Sequence, residues 1–138
     1  MNWFHWALLS ALFAGVTAIL AKIGVKDIDS NLATAIRTVV ILLFAWSIVW
    51  WQGASSFAQV TTKTWLFLVL SGLATGASWL CYFRALQLGE ASRVAPVDKL
   101  SVVVAMVLAI VILGESFTWR QALAGGLIVT GSMLLARG

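Results

Sequence analysis

Four ionisable side chains fall inside or at the edge of long apolar runs: Arg37, Arg84, Asp98 and Lys99. A charge at the centre of a membrane helix costs ~2.5–3.5 kcal/mol on insertion scales, and less near an end. Each of the four therefore needs a partner, an exit to the headgroups, or a function. Asp98 and Lys99 follow Pro96, the only proline. Proline lacks a backbone donor, so it disrupts a helix and frees a carbonyl near both charges. At membrane depth such a break is tolerated only where it is buried in protein or lines a wet cavity. The alternative places Pro96 in the first turn of a helix, where proline is normal, with Asp98 and Lys99 at the headgroups. Lys99 is the charge best placed to meet an anionic or zwitterionic group, together with Arg37, and Asp98 can simply pair with Lys99 or Arg37. Arg84 sits about 200° around its helix from Tyr82, and snorkelling to the interface accounts for it. His5, near a helix end, reads as interfacial.

A second pattern is polar but uncharged. Ser71, Thr75, Ser78 and Tyr82 recur at spacings of four, three and four, which places them on one helical face, with Gly72, Gly76 and Trp79 beside them. That face lines either a helix contact or a wet cavity, with Trp79 and Tyr82 offering apolar and polar surface. Gly72 and Gly76 have the small-xxx-small spacing that lets helices approach closely, and Ala7, Ala11, Gly15 and Ala18 form a similar row. For these small residues packing is the plainer explanation.

The elements that must position these residues are membrane helices. Trp3 to Ala21 and Thr64 to Phe83 carry no formal charge, and Leu32 to Trp51 carries only Arg37. A helix needs ~20 apolar residues to cross the hydrocarbon, and five such segments fit: 3–22, 32–52, 64–86, 93–113 and 117–136. The chain is 62% hydrophobic and 10% charged, with a mean hydropathy of +1.00, against ~25% charged in soluble domains. An all-α integral membrane protein follows, with 1–138 as one domain. "DSN" at 29–31 offers N-cap residues, Gly89 and Gly114 look like helix stops, and residues 52–62 form the longest loop. The N-terminal run is too long for a signal-peptide core and reads as a retained helix.

The net charge of +4 comes from basic residues at helix ends and short loops, not from a patch that would bind nucleic acid. Cys81 is alone, so no internal disulfide forms. No phosphate-binding loop, metal-ligand spacing or Ser/His/Asp set is present, which points away from an enzyme and from any cofactor or metal.

Tyr82 to Gly131, "YFRALQLGEASRVAPVDKLSVVVAMVLAIVILGESFTWRQALAGGLIVTG", resembles the second part of an EamA domain, the repeat unit of the drug/metabolite transporter superfamily. The matching features are Tyr82 with Ala85 and Leu86, Ser92 in a short turn, Pro96 opening the fourth helix, Gly114 with Glu115 closing it, and Gly125, Gly126 and Gly131 in the fifth. The family's second-helix arginine falls on Arg37. The resemblance implies five transmembrane helices forming one repeat, half of a ten-helix inverted-repeat transporter. It also implies transport of small organic solutes or metabolites by alternating access, in a bacterial or archaeal inner membrane. The chain looks like the five-span bacterial and archaeal branch, which implies a homodimer or a partner half-transporter. It departs from the small multidrug exporters in having no acidic residue between Trp3 and Ala21. The expected cavity is lined by Arg37, Ser71, Thr75, Ser78, Trp79, Tyr82, Pro96, Asp98 and Lys99. The competing reading is a non-transporting membrane subunit whose small residues dock a partner.

Orientation can be read from the loops. The face holding the N-terminus has Lys63 and Arg120, whereas the other has Lys22, Lys26, Arg93 and Arg137. Basic loops stay cytoplasmic, which gives the N-terminus outside. Trp3, Trp6, Trp50, Trp51, Trp65 and Trp119 all fall on that outer face. An inverted homodimer would instead require dual insertion. With Cys81→Ala as background, cysteines at Ser56 and at Ser30 distinguish the two: a fixed orientation labels Ser56 alone from outside, and equal labelling of both sites overturns it.

Overall fold

A computed structural model describes residues 2–53 and 60–137; residues 54–59, including Ser56, lie outside the described residues. All regular structure among the described residues is helical: α1 Trp3–Gly24, α2 Ser30–Trp51, α3 Thr62–Leu88, α4 Ala91–Asp98, α5 Leu100–Leu113 and α6 Trp119–Arg137. Helices α1, α2, α3 and the broken span Ala91–Leu113 are long and apolar enough to cross a membrane, and α6 is the fifth helix. No spanning window has more than 11% of its residues buried. Most of the apolar side chains in these windows are exposed.

The helix ends follow local chemistry. Asp29 caps α2, its carboxylate accepting from the N–H groups of Asn31 at 2.9 Å and Leu32 at 3.1 Å. The helix therefore starts at Ser30, two residues ahead of the apolar run. Before α6, Thr118 and Gln121 form a reciprocal capping box: the Gln121 amide oxygen accepts from the Thr118 N–H at 2.8 Å, and the Thr118 hydroxyl oxygen accepts from the Gln121 N–H at 3.3 Å. Phe117 stays outside the helix for that reason. Gly114 ends α5 in the left-handed region at φ 68, a conformation glycine adopts without steric cost.

The described residues form two compact units. One is Ile23–Gln87, holding α2 and most of α3. Its buried residues, Val25, Ser30, Ala33, Thr34, Phe83 and Leu86, come from the 25–34 segment and the end of α3. There the Gln87 amide donates to the carbonyls of Val25 at 3.1 Å and Ile28 at 2.6 Å, while its oxygen accepts from Arg84 at 2.9 Å. Arg84 thus does more than reach the interface: it orients the amide that holds the turn. The other unit runs up to Lys22 and resumes at Leu88. Within it α6 packs on both α4 and α5, and Lys22 Nζ donates to the Gly89 carbonyl at 2.7 Å.

Ser30 is only 4% exposed, so a cysteine there would label poorly for reasons unrelated to topology. Asp27, exposed in the same loop, is the better reporter. Removing the α2 cap with Asp29→Ala should destabilise the protein by about 1 kcal/mol, read as a lower unfolding midpoint in detergent; an unchanged midpoint would rule out a stabilising role for the cap.

Candidate functional site

The expected site residues divide between the two units. In Ile23–Gln87, α2 carries Arg37 one turn beyond the buried Ala33 and Thr34, and α3 carries Trp79 and Phe83 four residues apart on one face. The Arg37 guanidinium lies over both rings, 4.5 Å from the Trp79 centroid and 5.5 Å from that of Phe83. Arginine suits this place because its planar, weakly hydrated cation stacks on aromatic faces while the edges keep their N–H donors. Asp27 and Asp29 are the only acidic residues of this unit, and neither is ion-paired with Arg37. Phe83 was not among the candidates picked from sequence. Its signal is the spacing of four from Trp79, one residue beyond Tyr82 at the end of the hydroxyl-bearing stripe.

That stripe is open. Ser71, Thr75 and Ser78 are exposed and Tyr82 is half-buried. The Thr75 hydroxyl donates to the Ser71 carbonyl at 2.9 Å, so it is already satisfied by its own helix. A Cβ placed at Gly72 or Gly76 meets nothing within 4 Å. Among the described residues, then, no helix occupies the close-approach surface that their spacing creates.

In the other unit, α4 begins at Ala91, so Pro96 is its sixth residue and lies beyond the first turn. The helix then breaks at Lys99, after the proline, and resumes as α5. Lys99 Nζ stands 3.7 Å from the Asp98 carboxylate, with both side chains partly exposed at 56% and 36%. An exposed pair of neighbours binds weakly enough to exchange for a ligand. The Pro96 carbonyl accepts from the Ser132 hydroxyl of α6 at 2.8 Å. Ser132 was invisible to sequence reasoning because its partner lies 36 residues away.

The same unit holds an open, mostly apolar pocket of ≈ 270 Å³ between one face of α5 and the turn into α6, lined by Val102, Met106, Ile110, Glu115, Phe117 and Gln121 among others. Of these, the sequence points only to Glu115, in the Gly114–Glu115 pair. No three His, Cys, Asp or Glu side chains come together among the described residues in a way that could hold a metal ion.

Helices with lipid-facing apolar surfaces, a buried-end arginine stacked on aromatic rings and a broken span with charges at the break define a multi-pass integral membrane protein. The chain belongs to the EamA-like transporter family, whose model matches residues 1–137. It is 52% identical over 139 residues, covering 98% of this chain and 96% of the relative, to an uncharacterized transporter in the cobO 3′ region of a Sinorhizobium species. No solved structure matches it. The protein is thus a membrane transporter of a bacterial inner membrane, working on a small-molecule substrate in a lipid bilayer.

The Arg37 stack can be tested directly by a double-mutant cycle of Arg37→Met and Trp79→Leu in detergent unfolding. A coupling of about 1–2 kcal/mol is expected for a partly desolvated cation–π pair. A coupling near zero would mean the guanidinium does not rest on the ring.

Proposed function

We propose that the protein carries small organic solutes bearing an anionic or zwitterionic group, by alternating access, as a dimer of half-transporters. The observation that carries this reading is Arg37: a guanidinium within a membrane span, held by Trp79 and Phe83 and without a carboxylate partner in its own unit. The rings stabilise the cation without taking up its N–H donors, which a carboxylate or phosphate can use. Lys99, at a helix break and paired with its exposed neighbour Asp98, is the second cationic contact. Ser71, Ser78 and Tyr82 supply hydroxyls, Thr75 lies on the same face with its hydroxyl proton given to the Ser71 carbonyl, and Pro96 creates the break that presents Lys99.

Support for the dimer comes from two directions. The Sinorhizobium relative is matched over 96% of its own length, so it too contains one repeat, whereas the inverted-repeat architecture uses two. The open rows at Gly72 and Gly76 also leave a surface on which a second helix could close. That same surface supports the second reading, a membrane subunit that docks a partner and transports nothing itself.

Proteoliposomes containing only this protein separate the two when assayed with a panel of radiolabelled anionic, zwitterionic and cationic metabolites. Flux of an anion or zwitterion is expected, lost in Lys99→Met and in Arg37→Met and largely kept in Arg84→Met, whose place is structural. No flux for any solute supports the docking subunit, and normal flux in Lys99→Met with none in Arg84→Met overturns the assignment of the site. For the dimer, a mass of two copies should survive purification in mild detergent; a strictly monomeric protein that still transports would remove the half-transporter argument.

A further inference from the structure

The break between α4 and α5 is tightened, and one side chain from another helix meets it. The Lys99 N–H bonds to the Pro96 carbonyl at 3.1 Å and the Val102 N–H to the Lys99 carbonyl at 3.0 Å. Both bonds reach back three residues where an α-helix reaches four, a local 3₁₀ turn of the kind that marks hinges inside longer helices. The Pro96 carbonyl therefore takes two donors, the Lys99 N–H from its own chain and the Ser132 hydroxyl from α6 at 2.8 Å. Ser132 is 4% exposed, so water is no easy substitute for that hydroxyl, and α6 packs on both halves of the broken span.

We infer that Ser132 is a positioning residue: its hydrogen bond to the Pro96 carbonyl fixes the break and thereby sets where Lys99 stands. Both lone pairs of that carbonyl are in use. Without the hydroxyl, the carbonyl loses the donor that holds it toward α6 and is free to accept from the Leu100 N–H four residues on, its ordinary α-helical partner. The span straightens, and the Lys99 side chain turns relative to α6. The importance of Ser132 for transport rests on the reading of Lys99 as a substrate contact. Its effect on the position of residue 99 does not.

The experiment reads position and not flux. In a Cys81→Ala background, Lys99→Cys is labelled in detergent with a charged methanethiosulfonate reagent, with Ser132 intact, with Ser132→Ala and with Ser132→Thr. Leu113→Cys, at the exposed far end of α5 and 72% exposed, serves as control. Ser132→Ala should change the labelling rate at position 99 by about five-fold, the shift in an equilibrium that losing one net hydrogen bond brings. The rate at position 113 should stay the same, and Ser132→Thr, which keeps the hydroxyl, should restore the rate at 99 wherever it folds. Equal rates at 99 with and without the Ser132 hydroxyl overturn the inference. So does a parallel change at 99 and 113, which would show general loosening of the unit. Flux in Ser132→Ala, measured separately, then reports on Lys99: labelling altered with transport intact sinks the role of Lys99 and leaves that of Ser132 standing.

Discussion

Lipid offers no hydrogen bonds, and nearly every polar detail of this chain answers that constraint. The Thr34, Thr38, Thr75 and Thr130 hydroxyls each donate to the carbonyl four residues back, at 2.8–2.9 Å. Each is thereby hidden inside its own helix, and the stretches that contain them can still face hydrocarbon. Helix ends, which leave several groups unpaired in any environment, are closed by Asp29, by the Thr118–Gln121 pair and by the left-handed turn at Gly114. No buried side-chain nitrogen or oxygen among the described residues is left without a partner.

The constraint also explains why the few long-range polar bonds are so informative. Gln87 reaches across 59 and 62 residues to two carbonyls of the α1–α2 turn, and Ser132 crosses 36 residues to the carbonyl of Pro96. In each case a side chain satisfies backbone that regular structure has released. A turn held by Gln87, with Arg84 orienting its amide, costs less to form because two of its carbonyls are given a donor. The broken span held by Ser132 differs, since it keeps a charged pair at the break.

What could be read from sequence follows from which properties are local. The charge-free runs locate the spans because hydropathy is a property of a window, and the cap at Asp29 follows from three adjacent residues. The break after Pro96 was legible as a break, but its place at Lys99 was not, because the position depends on a serine in α6. The stripe Ser71, Thr75, Ser78 and Tyr82 was legible as a face and misleading as a ranking. Helical spacing says which residues share a side, not which of two neighbouring sides faces α2. Arg37 lies over Trp79 and Phe83, so Phe83 joins the candidate residues although its side chain carries no polar atom.

Magnitudes separate the two cations. An arginine at the centre of a span costs ~2.5–3.5 kcal/mol, and less one to two turns from the end, where Arg37 stands. Stacking on two rings returns up to about 2 kcal/mol when the pair is desolvated. The aromatic faces therefore offset much of the cost of Arg37, so the residue can remain in the span without a carboxylate neighbour. They do so without supplying a carboxylate that would take up its N–H donors. Lys99 reaches the same end by another route, through an exposed ion pair with Asp98 that contributes little and is easily exchanged. A carboxylate in place of the rings would have neutralised Arg37 and used its N–H edges. Aromatic stabilisation keeps the charge available, and that difference makes Arg37 a better candidate for binding an anion than for simply holding two helices together.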